Sequence, residues 1–404
     1  MQTRTRTRTL APVLCAAALA LFASSSAAAA TPDTCFVAKK RGPIKVDVNK
    51  NAPWVDFESY SNYAPVDAVL VGRTVYLRGL AENRWDANKT IASVPSASSD
   101  PKARMIFSAV SGERGGSRLF NARVDVHDGG SVGSEVDRLT WVSLSGIAWP
   151  VGTGQPLTLA TGFTAYGRGY RAPLRYGEGD VIRLTGLAKG TVKTNAHVAS
   201  IPSSWAPPGR RIFLANNHEG FTRVDVFANG AVVAMSDAAH GWVSLDGIAY
   251  STQPANPIDM TAYHWTAYGA GYAPPSINQS GGVVYLSGLA KRSGGVAYRQ
   301  LFNLFDDVKP AKREVFWVLS ANGPVRVDVF PDGKVEVQGD PGKWVSLDGI
   351  SFLPKATAIA TGVAFPTSST IDQWGKANDP DPAFAGLPQW RCKEVGGKWV
   401  PGTP

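Results

Sequence analysis

One pattern is spelled out three times along this chain and restricts it more than any other feature: residues 124–149 (VDVHDGGSVGSEVDRLTWVSLSGIAW), 224–250 (VDVFANGAVVAMSDAAHGWVSLDGIAY) and 327–352 (VDVFPDGKVEVQGDPGKWVSLDGISF). The Trp of the Trp-Val-Ser-Leu word falls at Trp141, Trp242 and Trp344, steps of 101 and 102 residues, and the Gly of a Gly-Leu word at Gly79, Gly186 and Gly288. A period of that length is one ordinary domain, far longer than the unit of a solenoid array. Three β domains in tandem are therefore expected, over 54–152, 153–254 and 255–354. An N-terminal segment with a partial repeat (31–53) precedes them, and a closing segment (355–404) follows.

Within each copy the runs are short. In the third, two alternating runs flank Asp332-Gly333, which predicts a hairpin with a type I′ turn, because Gly adopts positive φ without steric cost. In the second, LTLATGFTAY (157–166), VIRLTGL (181–187) and RIFLA (211–215) read as strands, punctuated by Gly167, Gly169, Pro202 and Pro207-Pro208-Gly209. Runs of this length broken by Gly, Pro, Asn and Asp argue for an all-β sandwich or barrel with little helix.

The first 30 residues read as a secretory signal, with Arg4, Arg6 and Arg8 ahead of an apolar run and small residues up to Ala30. Leu14 before Cys15 is not the small residue of a lipoprotein cleavage site. Later in the chain no apolar stretch is long enough to span a membrane, so membrane insertion is not expected. Removing the three arginines lowers the formal charge from +9 to +6. That excess is spread along the chain, so a soluble basic surface is expected rather than nucleic-acid binding, and it would suit an anionic envelope polymer.

Beyond the signal only Cys35 and Cys392 remain. In an oxidising compartment they are expected to pair and fasten the two ends of the chain, with free thiols or intermolecular bonds as alternatives. The ends also echo the repeats: GPIKVDV (42–48) copies GPVRVDV (323–329), and IATG (359–362) copies LATG (159–162). The two ends are expected to complete each other or an edge of the assembly.

No chemistry-bearing motif accompanies the repeats. The five histidines, His127, His197, His218, His240 and His264, do not recur at equivalent positions and form no metal-ligand spacing. No nucleophile elbow, P-loop or dinucleotide fingerprint is present, so no cofactor and no metal are expected. Asp125, Asp225 and Asp328 do recur, each two residues after an arginine (Arg123, Arg223, Arg326), hence on the same strand face, where an ion pair or a turn contact is the plain reading. Paired carboxylates of a glycosidase, or a calcium site, would need Asp246, Asp332 or Asp348 to converge.

In the third copy the order WTAYG…YAP, GVVYLSGL, KPAKREVF, VRVDVFPDGKVEV, WVSLDGISF resembles the C-terminal receptor-binding β-domain of phage tail fibres and minor tail proteins, found also on collagen-like surface proteins. The resemblance covers 54–352, most of the mature chain, and is weakest in the first copy, where 54–65 replaces the Tyr-Gly-x-Gly-Tyr turn. Such domains assemble as trimers, so three copies on one chain imply a monomeric pseudo-trimer, which the short Gly/Pro/Thr junctions favour over free beads.

A secreted, non-enzymatic protein that binds a cell-surface or envelope glycan is then the expected function. The alternatives are a polysaccharide hydrolase and a structural envelope component. Tyr166, Tyr170, Trp265, Tyr268 and Tyr272, in Gly-rich turns, are the candidate ligand-binding residues, since flat rings stack on the apolar faces of sugars. Phe163 and Trp265 could instead plug the core, and Trp141, Trp242 and Trp344 are expected at a core or interface.

Overall fold

A computed structural model describes residues 54–355, with breaks at 58–61, 85–88, 95–100, 113–117, 136–138, 219, 239, 254 and 295–298, and the backbone of two paired strands, Cys392–Val395 and Lys398–Pro401. The expected signal segment, the 42–48 and 359–362 echoes and the expected pairing of Cys35 with Cys392 lie outside the described residues. Strands and three-residue 3₁₀ turns are the regular elements named among those residues, so the chain is all-β, as its patterning predicts.

Each repeat segment forms curved antiparallel sheets closing on an apolar core. In the first, seven strands run in the order Trp54–Asp56, Leu80–Asn83, Trp141–Ser143, Met105–Gly112, Leu119–Val126, Ser131–Ser134, Thr90–Ser93. Ala148–Pro150, Thr74–Arg78 and Asp67–Val71 make a second sheet. The third segment has the same seven-strand order, from Trp265–Ala267 to Gln300–Asn303, and the second divides the seven equivalents between sheets of three and five strands, the five including an added edge strand, Thr158–Leu159. Even the irregularities recur: register shifts fall at Thr90/Ala92, His197/Ala199 and Gln300/Phe302. The valines of the Val-Asp-Val word, Val124 and Val126, Val224 and Val226, Val327 and Val329, are all buried in three separate apolar clusters.

Two expectations need correction. The run 181–187 is two strands, Val181–Thr185 and Leu187–Lys189, separated at Gly186. Gly79, Gly186 and Gly288 have φ of 101°, 94° and 94°, and a Cβ there would lie 2.1 Å from the carbonyl oxygens of Pro65, Ala172 and Pro274. That bend carries the chain from one sheet to the other. Gly186→Ala is expected to destabilise the protein by about 3 kcal/mol, from left-handed strain and a forced backbone shift; equilibrium denaturation checks this, and a loss below about 0.5 kcal/mol would show that the bend relaxes freely.

The Asp332-Gly333 hairpin forms between Gly323–Val329 and Lys334–Gln338, but its turn is not type I′. Only Gly333 is at positive φ (97°), its N–H donates to the Phe330 carbonyl at 2.9 Å, and the Phe330 N–H donates to the Lys334 carbonyl at 2.8 Å. Pro331 cannot adopt positive φ, so a four-residue turn, Phe330 to Gly333, whose last residue is the left-handed Gly replaces the two-residue loop.

Candidate functional site

The repeated arginine and aspartate form the predicted same-face pairs, and more. Arg123 grips Asp125 with Nε to Oδ1 and Nη2 to Oδ2, both 2.7 Å. Arg223 grips Asp225 at 2.7 and 2.7 Å, and Arg326 grips Asp328 at 2.6 and 2.7 Å. Burial opposes the charge on Arg123, but hydrogen bonding and attraction to Asp125 outweigh it and raise its pKa. A second arginine completes each cluster, with Nε of Arg104, Arg210 and Arg313 donating to Asp125, Asp225 and Asp328 at 2.5, 2.6 and 2.7 Å.

Each cluster faces aromatics from another segment. Nη2 of Arg123 donates to Tyr170 Oη at 3.3 Å, that of Arg223 to Tyr272 at 3.0 Å and that of Arg326 to Tyr63 at 3.0 Å. The same three guanidiniums lie 5.9, 5.6 and 5.5 Å from the rings of Trp242, Trp344 and Trp141. The backbone joins as well: the Arg104, Arg210 and Arg313 N–H groups donate to the carbonyls of Gly169, Gly271 and Asn62 at 2.9, 3.0 and 2.8 Å. The third contact of each set links the third segment to the first.

The Trp-Val-Ser-Leu words supply a second set of contacts between segments. Ser244 Oγ donates to the Ile106 carbonyl at 2.7 Å, Ser346 to Ile212 at 3.0 Å and Ser143 to Val315 at 2.6 Å. Two residues on, Asp246 accepts the N–H groups of Ile106 (2.9 Å) and Gly186 (2.7 Å), while Asp348 accepts those of Ile212 (2.9 Å) and Gly288 (3.0 Å). In the first segment Ser145 stands at this position and donates to Glu314 at 2.6 Å. The partner position is varied to match, with Arg211 beside Asp348 and Glu314 beside Ser145. Asp246 and Asp348 do border one small internal cavity of about 40 Å³, but each is turned to backbone amides. Asp332 sits in the hairpin turn against Lys334, so the three do not converge, and no group of three metal-ligating side chains occurs among the described residues.

The candidate ligand-binding aromatics divide by position. Trp265 is 1% exposed, a core plug whose indole reaches no surface ligand, and this corrects its placement among the binding residues; Phe163 packs partly buried on the second core. Tyr170 and Tyr272 are half-buried and hold Arg123 and Arg223. Tyr166 and Tyr268 stand edge-on to them, with centroids 5.3 Å apart in each pair. The first copy, which lacks the Gly-rich turn, rebuilds the same pair with Phe57 and Tyr63 at 5.5 Å. Sequence reading missed Tyr63 because its spacing differs; it missed Arg104, Arg210 and Arg313 although each precedes the buried Phe by three positions in every copy.

Tyr268 and Trp344 border a surface depression of about 730 Å³ whose polar lining includes Lys291, Arg292, Asp340 and Lys343. It joins a candidate aromatic to groups that can meet hydroxyls and charges. No known family model, curated protein or solved structure matches the chain.

Proposed function

We propose that the chain is a secreted, non-enzymatic binding protein that recognises cell-surface carbohydrate, built as three tandem β-sandwich domains packed into a pseudo-trimer like the receptor-binding domains of tail fibres. The depression beside Tyr268 and Trp344 carries the binding reading, because an aromatic wall with a polar rim is what a sugar ring needs. The three matching sets of contacts between segments, the last returning to the first, support the ring. So does a shared apolar cluster drawing Val69, Tyr76, Val181, Val283 and Tyr285 together. Small-angle scattering tests the ring, and a profile of an extended rod would overturn it.

The binding test is an array of envelope glycans probed with the purified chain, each well also assayed for released sugar. Saturable binding without release is expected, whereas release would establish a hydrolase. Tyr268→Ala is expected to weaken binding about tenfold and, because it removes the edge-on contact with Tyr272 and packing on Ile212 and Leu289, to cost about 1 kcal/mol of stability with folding retained. Tyr272→Ala is unsuited to this test, because it strips Arg223 of a partner and perturbs the fold.

A further inference from the structure

The depression beside Tyr268 is unlike its counterparts in the other two segments. The residue before the repeated Trp is Lys343 here, but Gly241 and Thr140 elsewhere. The residue paired across the strand from the Trp is Lys291, against Lys189 in the second segment and Glu82 in the first. The residue after that one is Arg292, against Gly190 and Asn83. Three cations thus meet one carboxylate, Asp340, around this depression. Arg292 is committed to Asp340 at 3.3 Å, which leaves the exposed Lys291 and Lys343 as the surplus charge.

Resting on the carbohydrate reading above, we propose that this third-segment depression is a specific site for an acidic glycan, taking a uronic acid unit whose ring lies on the aromatic wall and whose carboxylate meets Lys291 and Lys343. The ammonium of Lys291 is 5.8 Å from the centroid of Tyr268. A sugar stacked on that ring therefore brings a carboxylate carried on the sugar itself within reach of the ammonium. A neutral hexose could use the aromatic wall alone. Two lysines at an open surface give an attraction that salt screens, so the preference for acid over neutral sugar shrinks as ionic strength rises.

The test is calorimetric titration of the whole chain with oligogalacturonate, its methyl ester and a glycerol-phosphate oligomer. Oligogalacturonate is expected to bind at least about tenfold more tightly than its ester, and Lys291→Glu/Lys343→Glu to abolish that difference. Lys343→Arg should keep it, and Lys189→Glu in the second segment should leave it unchanged. Both lysines are exposed, so loss of fold is not an expected confounder, and unaltered melting of the variants checks this. Equal binding of acid and ester would overturn the acidic site while leaving the carbohydrate reading intact. Tighter binding of glycerol phosphate would replace the uronate by a phosphate polymer, and no saccharide binding at all would overturn the functional reading itself.

Discussion

Replacing Arg211 by alanine is expected to remove about 3–5 kcal/mol of stability at neutral pH, measured by equilibrium denaturation. The Arg211 and Asp348 side chains are each 2% exposed, and Nη1 lies 3.4 Å from Oδ1. Asp348 already takes the amides of Ile212 and Gly288. Burial pushes its carboxyl above the ordinary range, and Arg211 is the strongest influence pulling it back. Truncating Arg211 leaves a buried carboxylate with no counter-charge, compensated by two amides and the Ser346 hydroxyl at 3.4 Å, which is why the loss exceeds that of an exposed pair. Because the folded-state pKa lies above the unfolded one, this carboxyl stabilises the fold fully below its unfolded pKa, and that contribution is lost as pH rises through the folded value. Removing Arg211 raises the folded value further, so the deficit should shrink in acid. Adding Asp348→Ser, which copies Ser145, is expected to restore part of the loss. A deficit below about 1 kcal/mol that does not vary with pH would mean that the pair is not a working ion pair.

The strands, the three-copy period and the intrastrand Arg–Asp pairs were legible because their causes are local: alternation sets the face, and two residues of separation set the reach. What Ser244 and Asp246 touch was not legible, since Ile106 lies 140 positions from Asp246 and no periodicity encodes a partner that distant. The same limit hid the burial of Val181–Thr185 on both faces. Its outward Arg183 looks like a solvent residue, yet its Nη2 donates to Tyr76 and Tyr285 at 2.5 and 3.0 Å, residues at the same place in the other two copies. Trp265 failed for a complementary reason: a Gly-rich neighbourhood suggests exposure, but Trp265–Ala267 is an edge strand whose first side chain turns inward. The recurring Arg before each buried Phe was a usable signal, because an arginine kept at one place in all three copies of a single chain is under a shared constraint.

Asp246 offers a test in which burial and hydrogen bonding can be separated. Burial pushes its carboxyl up from 3.8 to about 6, against the pull of the Gly186 and Ile106 amides and then of Arg171. The folded-state value again lies above the unfolded one. Its contribution is therefore complete below about pH 4 and lost as pH rises through about 6, a swing of about 3 kcal/mol. Asp246→Ala removes that swing and also leaves two buried amide N–H groups bare, which costs about 2–5 kcal/mol. The stability difference between the native chain and the variant should then be largest near pH 4 and narrow toward neutral pH; urea denaturation of both proteins across that range cancels the carboxyls they share. A difference that stays constant would mean that Asp246 is ionised throughout, with its two amides rather than its burial governing its charge.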